Sequence, residues 1–194
     1  NLALASNKAH GNVAVGTDSL LKNDTGIGST AVGFQSLYNN LANSNTGVGN
    51  STLFTNSAGM DNVAIGNNAL YNNSVSENTA VGSNALYTND SGLGLTAVGF
   101  QSLYNNNTGA SNTAVGHSAL FTNNAGVNNT AIGHSALYAN TIGSGNTALG
   151  LETLKENITG TDNVAIGFRA LLSNNGLLAH YNIAVGTETL GSNL

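Results

Sequence analysis

The apolar positions of this chain fall in short clusters that return at a fixed interval. In residues 112–140, NTAVGHSALFTNNAGVNNTAIGHSALYAN, the phrase that opens at Asn112 opens again at Asn129. Aligned on this phrase, the chain gives eleven copies starting at Asn12, Ser29, Asn45, Asn62, Asn78, Leu95, Asn112, Asn129, Asn146, Asn163 and Asn182. Their spacings are 16 or 17 residues, with 19 before the last. Asn1 to Ala5 reads as a shortened twelfth copy, so residues 1–194 form a single continuous repeat domain, a segment of a longer fibre. Counting columns from the first residue of each copy, column 5 is always Gly, column 9 always Leu and column 12 always Asn. Column 4 is Val, Ile or Leu, and column 3 is Ala except at Gly47.

A period this short accommodates two brief strands and two turns, but not the helix pair of a tetratricopeptide or ankyrin unit. A helix through SALYAN is also opposed by a Gly in every copy and by Asn/Gly-rich tails. The predicted fold is therefore all-β: a parallel β-roll, or short-coil β-solenoid, of about 12 coils of 16–17 residues. The first strand is expected at Asn-Thr-Ala-Val-Gly and the second at Ala-Leu-Tyr, with the tail turning the chain back. Side chains alternate across a strand. We expect the β-branched columns 2 and 4 (Thr113 with Val115) to fill the interior together with Leu120 and Leu137 of column 9. The bare Ala/Gly face, with Gly116 and Gly133, is expected to let another backbone approach and so to support a homo-oligomer. Asn123 and Asn140, with the rest of column 12, are expected to form an amide ladder at a turn. Coils this small bury too little to fold singly, so repetition is a condition of folding.

Composition narrows the functional classes. Charged residues are 7% of the chain, against roughly 25% in an average globular protein. Nine acidic residues and four Lys or Arg leave no basic patch for nucleic acid or anionic lipid. Cys is absent, which excludes disulfides and thiolate metal sites. No apolar run reaches the length of a membrane span. Asn1 opens mid-phrase without a leader, which reads as a mature product or an excised piece. The acids are scattered, and no nucleophile elbow, zinc-protease or phosphate-loop motif occurs. Neither enzyme activity nor a cofactor is expected.

The motif Asn-(Thr/Val)-Ala-(Val/Ile)-Gly-x-x-(Ala/Ser)-Leu, running through essentially the whole chain, resembles the YadA-like head repeats of trimeric autotransporter adhesins. The resemblance implies a left-handed parallel β-roll in a homotrimer, at the extracellular end of a cell-surface fibre. It also implies attachment to host cells or matrix through a protein or glycan receptor, with no membrane contact in this segment. The longer period and the Leu-Tyr segment look equally like the repeat shafts of phage, viral and environmental bacterial fibre proteins. Such a shaft would be a structural segment on a virion surface without its own ligand. An ice-binding solenoid is a third reading, from the Thr column that includes Thr113 and Thr130. Its neighbour on the same face is aliphatic rather than a second Thr rank.

Two columns carry candidate contacts. Column 10 holds Tyr38, Phe54, Tyr71, Tyr87, Tyr104, Phe121 and Tyr138. Facing outward, this stripe suits sugar rings or a protein partner; facing inward, it packs between subunits. Column 6 places His117 and His134 one coil apart, within reach of a shared metal ion. No carboxylate accompanies them in adjacent columns, and the column elsewhere takes Thr, Asn, Ser, Leu and Phe, so no metal is expected there.

Overall fold

The computed structural model describes residues 8–175 and 179–193. The proposed twelfth copy at Asn1 to Ala5 lies outside them. Every full copy contributes one three-residue strand, from Val13–Val15 through Thr113–Val115 and Thr130–Ile132 to Ile183–Val185. These form one eleven-stranded sheet in which each copy neighbours the next. All pairings are parallel and column matches column: Thr113, Ala114 and Val115 pair with Thr130, Ala131 and Ile132. A second, thinner ladder is built from two-residue strands, among them Asn72–Asn73, Thr88–Asn89, Asn105–Asn106 and Thr122–Asn123. No helix occurs among the described residues. The molecule is an all-β solenoid whose coils stack through inter-coil hydrogen bonds.

The second strand lies later than the sequence predicts. Ala-Leu-Tyr is a turn, and pairing begins only at columns 11 and 12. The reason is the backbone at the corner. Column 9 leucines adopt left-handed φ throughout, 50° at Leu120 and 51° at Leu137, as do the column 7 residues Ser118 and Ser135 at 52° and 55°. Alternating hand at columns 5, 7 and 9 curls the chain while its amides still reach neighbouring coils. Gly133 N–H donates to Val115 C=O below, Ser135 N–H to His117 C=O below, and Leu120 N–H to Ala136 C=O above.

The interior is the reverse of the expected one. From Ala31 to Ala184 the strand alanines, Ala114 and Ala131 among them, are buried with the column 9 leucines from Leu20 to Leu171, whereas columns 2 and 4 face out; only at the ends are Ala14 half-buried and Leu190 exposed. Alternation is correct; the assignment of faces is not. The coil is too narrow for branched residues on this side. A Cβ built at Gly47 would meet Ser36 Oγ and Thr52 Oγ1 at 2.6 Å and Leu37 Cγ at 3.3 Å. Column 3 thus abuts columns 8 and 9 across the coil: Gly47 has no room even for a Cβ, and no other strand carries more than Ala in this column. Gly47 stands where the column 8 residues around it are Ser36 and Thr52, whose hydroxyls share a hydrogen bond of 2.7 Å. Elsewhere that column holds Ala at Ala69, Ala85, Ala119, Ala136 and Ala170, and Ser or Thr at Ser19, Ser102, Thr153 and Thr189.

The close approach granted by the glycines is likewise internal. A Cβ at Gly116 would lie 2.6 Å from the Gly133 carbonyl oxygen, and at Gly133 2.3 Å from that of Gly150. With φ of 132° and 134°, both residues sit where L side chains are strained. The Ala/Gly face therefore packs coil on coil and across one coil of the same chain, which corrects its expected role as a surface for a second chain.

Candidate functional site

Column 12 forms the expected ladder. Asn123 Nδ2 donates to Asn106 Oδ1 at 2.8 Å, and Asn140 Nδ2 to Asn123 Oδ1 at 2.8 Å. The same amides close the tail turn, Asn123 onto Gly126 C=O and Asn140 onto Gly143 C=O, both at 2.9 Å. These asparagines are buried and structural. A second buried row, column 1, was not singled out in the sequence although its Asn recurs there. Asn112 Oδ1 accepts from Asn129 N–H at 2.8 Å, and Asn112 Nδ2 donates to Gly126 C=O at 2.8 Å. Its signal was the Asn that opens most copies.

Column 10 is a single stack. From Tyr38 through Phe54, Tyr71, Tyr87, Tyr104 and Phe121 to Tyr138, successive ring centroids are 5.0–5.2 Å apart, with interplanar angles of 2–16°. All seven rings are half-buried. The in-register backbone imposes this arrangement, because identical side chains one strand spacing apart present face to face. Ring faces are covered by neighbouring rings and only edges meet solvent, so the stripe cannot stack on sugar faces along its length. Lys22 Nζ lies 5.1 Å from the Tyr38 centroid, at the lower end.

The outer face of the long sheet is a different surface. Column 4 is at least partly exposed in every strand, with Val15 at 56%, Ile65 at 40% and Leu149 at 43%. Thr or Val of column 2 lies beside it. The apolar character continues past the glycine corner in column 6, where Phe34, Phe100, Leu151 and Phe168 are exposed. His117 and His134 lie in this column, both exposed, with rings stacked at 4.8 Å and 10°.

Charge concentrates near the far end. Lys155 Nζ donates to Glu152 Oε1 at 2.6 Å, and Arg169 Nε to Glu152 Oε2 at 2.7 Å. These bonds, Lys155 foremost, hold the Glu152 carboxyl below the ordinary glutamate range. Because this folded-state value is depressed, the associated stability is present above the ordinary range and is lost as pH falls through the lowered value. At a surface the contribution is small. Ser173 donates to Glu156 one coil away. A shallow hollow lined by Lys22, Asp24, Asn39, Leu41 and Ser57 contains one cation and one carboxylate. No group of three or more His, Cys, Asp or Glu converges among the described residues. No helix among them is long and apolar enough to cross a membrane.

No family model, no curated protein and no solved structure matches this chain.

Proposed function

We propose that this chain is a head or shaft segment of an extracellular surface fibre. In this reading, copies associate through the outer face of the eleven-stranded sheet, three together as in the adhesins whose repeats it resembles. The exposed aliphatic row of column 4 supports this reading. A solitary chain would leave branched apolar side chains in water on every rung, from Val15 to Val185. Soluble monomers seldom expose contiguous apolar patches beyond a few hundred Å². Thr beside an aliphatic column, rather than beside a second Thr rank, favours a dry protein contact over ordered water.

With that face covered, the edges of the aromatic stack and the Asn, Ser and Thr of the tails remain outward. The rings repeat on the seven coils from Tyr38 to Tyr138 and the polar tails along the chain, and together they offer shallow, multivalent contacts to protein or glycan on host cells or matrix. The reading gives the chain no catalytic role. Native mass measurement is the test, with a species of three times 19.5 kDa expected. Placing carboxylates on adjacent rungs, Val98→Asp with Val115→Asp, should release single chains that keep their β-sheet circular dichroism. A wild-type chain that stays single at micromolar concentration would sink the proposal.

A further inference from the structure

We propose that His117 and His134 form a chelating site for a divalent transition-metal ion of the zinc, nickel and copper class. The sequence alone argued against this, because the column is variable and no carboxylate accompanies the pair. The structure adds four observations. Both side chains are exposed at the corner that follows the sheet. Their rings lie side by side, 4.8 Å apart and 10° from parallel. Neither imidazole hydrogen-bonds to the protein among the described residues, so their ring nitrogens are uncommitted. Their backbones are locked in register, with Ser135 N–H donating to His117 C=O and Glu152 N–H to His134 C=O, both at 2.9 Å.

Two histidines on adjacent in-register rungs need little more than rotation about Cβ–Cγ to turn one nitrogen each onto a common ion. Neutral imidazole suits zinc, nickel and copper, and the rigid backbone lowers the ordering cost. Along the column the pair is bounded by two apolar side chains. Phe100 is tilted against His117 at 5.1 Å, and Leu151 is exposed on the coil above His134. Column 7 beside the pair holds Ser118 and Ser135; Glu152 of the following coil is engaged by Lys155 and Arg169, so water completes the coordination. The other described histidines are unlike this pair. His10 stands alone, and His180 Nδ1 is taken up by Thr161. A bound ion would tie together the coils that begin at Asn112 and Asn129.

The test is titration of the full chain with Zn²⁺ by calorimetry, together with electron paramagnetic resonance of the Cu²⁺-loaded protein. Binding should saturate at one ion per chain and weaken at least tenfold in H117S and in H134S. It should be unchanged in the H10S/H180S double variant. The Cu²⁺ spectrum should carry coupling to two imidazole nitrogens in the wild type and to fewer in each single variant. Serine is the chosen replacement because Ser83 occupies the same column. If a serine variant misfolds, H117N and H134N replace it, following Asn50 and Asn67 in that column. Absence of Zn²⁺ binding, or binding that survives in the H117S/H134S double variant, overturns the site. Neither result depends on how many chains associate.

Discussion

At the residue scale, the invariant leucine of column 9 is explained by its backbone rather than by its size. Leu120 is buried at φ 50°, a conformation that β-branched residues tolerate worst. Apolar swaps of similar volume in ordinary cores cost less than about 1.5 kcal/mol. Leu120→Ile adds branching strain to left-handed backbone and should cost about 2–3 kcal/mol, whereas Leu120→Met should stay near 1. Urea unfolding of both variants tests this, and equal midpoints would refute it. Branched residues gather in column 4 for the complementary reason: its strand backbone is extended and its side chain has room outside.

At the element scale, each ladder is a chain of identical contacts, so damage to one rung reaches both neighbours. Asn89 Nδ2 donates to Asn73 Oδ1 and Gly92 C=O, both at 2.8 Å, while its Oδ1 accepts from Gly92 N–H at 3.0 Å and Asn106 Nδ2 at 2.9 Å. Asn89→Ala leaves these partners buried and unmatched, and at 1–3 kcal/mol for the worst-placed groups it should cost about 3–4 kcal/mol. Thermal unfolding of the variant gives the value, and a loss below 1 kcal/mol would contradict the ladder's structural role. The aromatic stack behaves differently. No Tyr87 hydroxyl bond to protein occurs among the described residues, and Phe54 and Phe121 already serve in the same row. Tyr87→Phe should therefore be neutral within about 0.5 kcal/mol. Tyr87→Ala removes two stacking contacts and half-buried ring area, a loss of about 2–3 kcal/mol. Chemical denaturation of the pair checks the contrast.

At the scale of the whole molecule, stability is a sum of coils and the interfaces between them. Because the registers of successive coils are identical, removing one complete copy should leave a shorter solenoid of the same kind. Deletion of residues 112–128 joins Ser111 to Asn129 in the same phase, so Thr96 to Val98 can pair with Thr130 to Ile132 as they now pair with Thr113 to Val115. Circular dichroism should be unchanged in shape, and small-angle scattering should show a length reduced by about 4.8 Å. A half-copy deletion puts column 5 glycines out of line and should abolish folding. An unfolded product from the full-copy deletion would contradict the stacking account.

The repeat phase, the parallel in-register stacking, the glycine and leucine columns and the amide ladder were all written in the sequence, because identical residues at a constant interval can only align with themselves. The aromatic column was legible as a column too, but not its internal stacking, which depends on the angle at which each ring leaves the backbone. From sequence the branched side of the first strand was placed inside, wrongly, since a period of two looks the same from within and from without. Tertiary structure settled that choice through a single dimension, the width of the coil. Ser36, Thr52 and Leu37 press so near Gly47 that not even a Cβ has room there, no other strand carries more than Ala in this column, and Val and Thr are turned to the surface. That same narrowness bends Leu into left-handed backbone and displaces the second strand to columns 11 and 12, which propensity alone would not foretell.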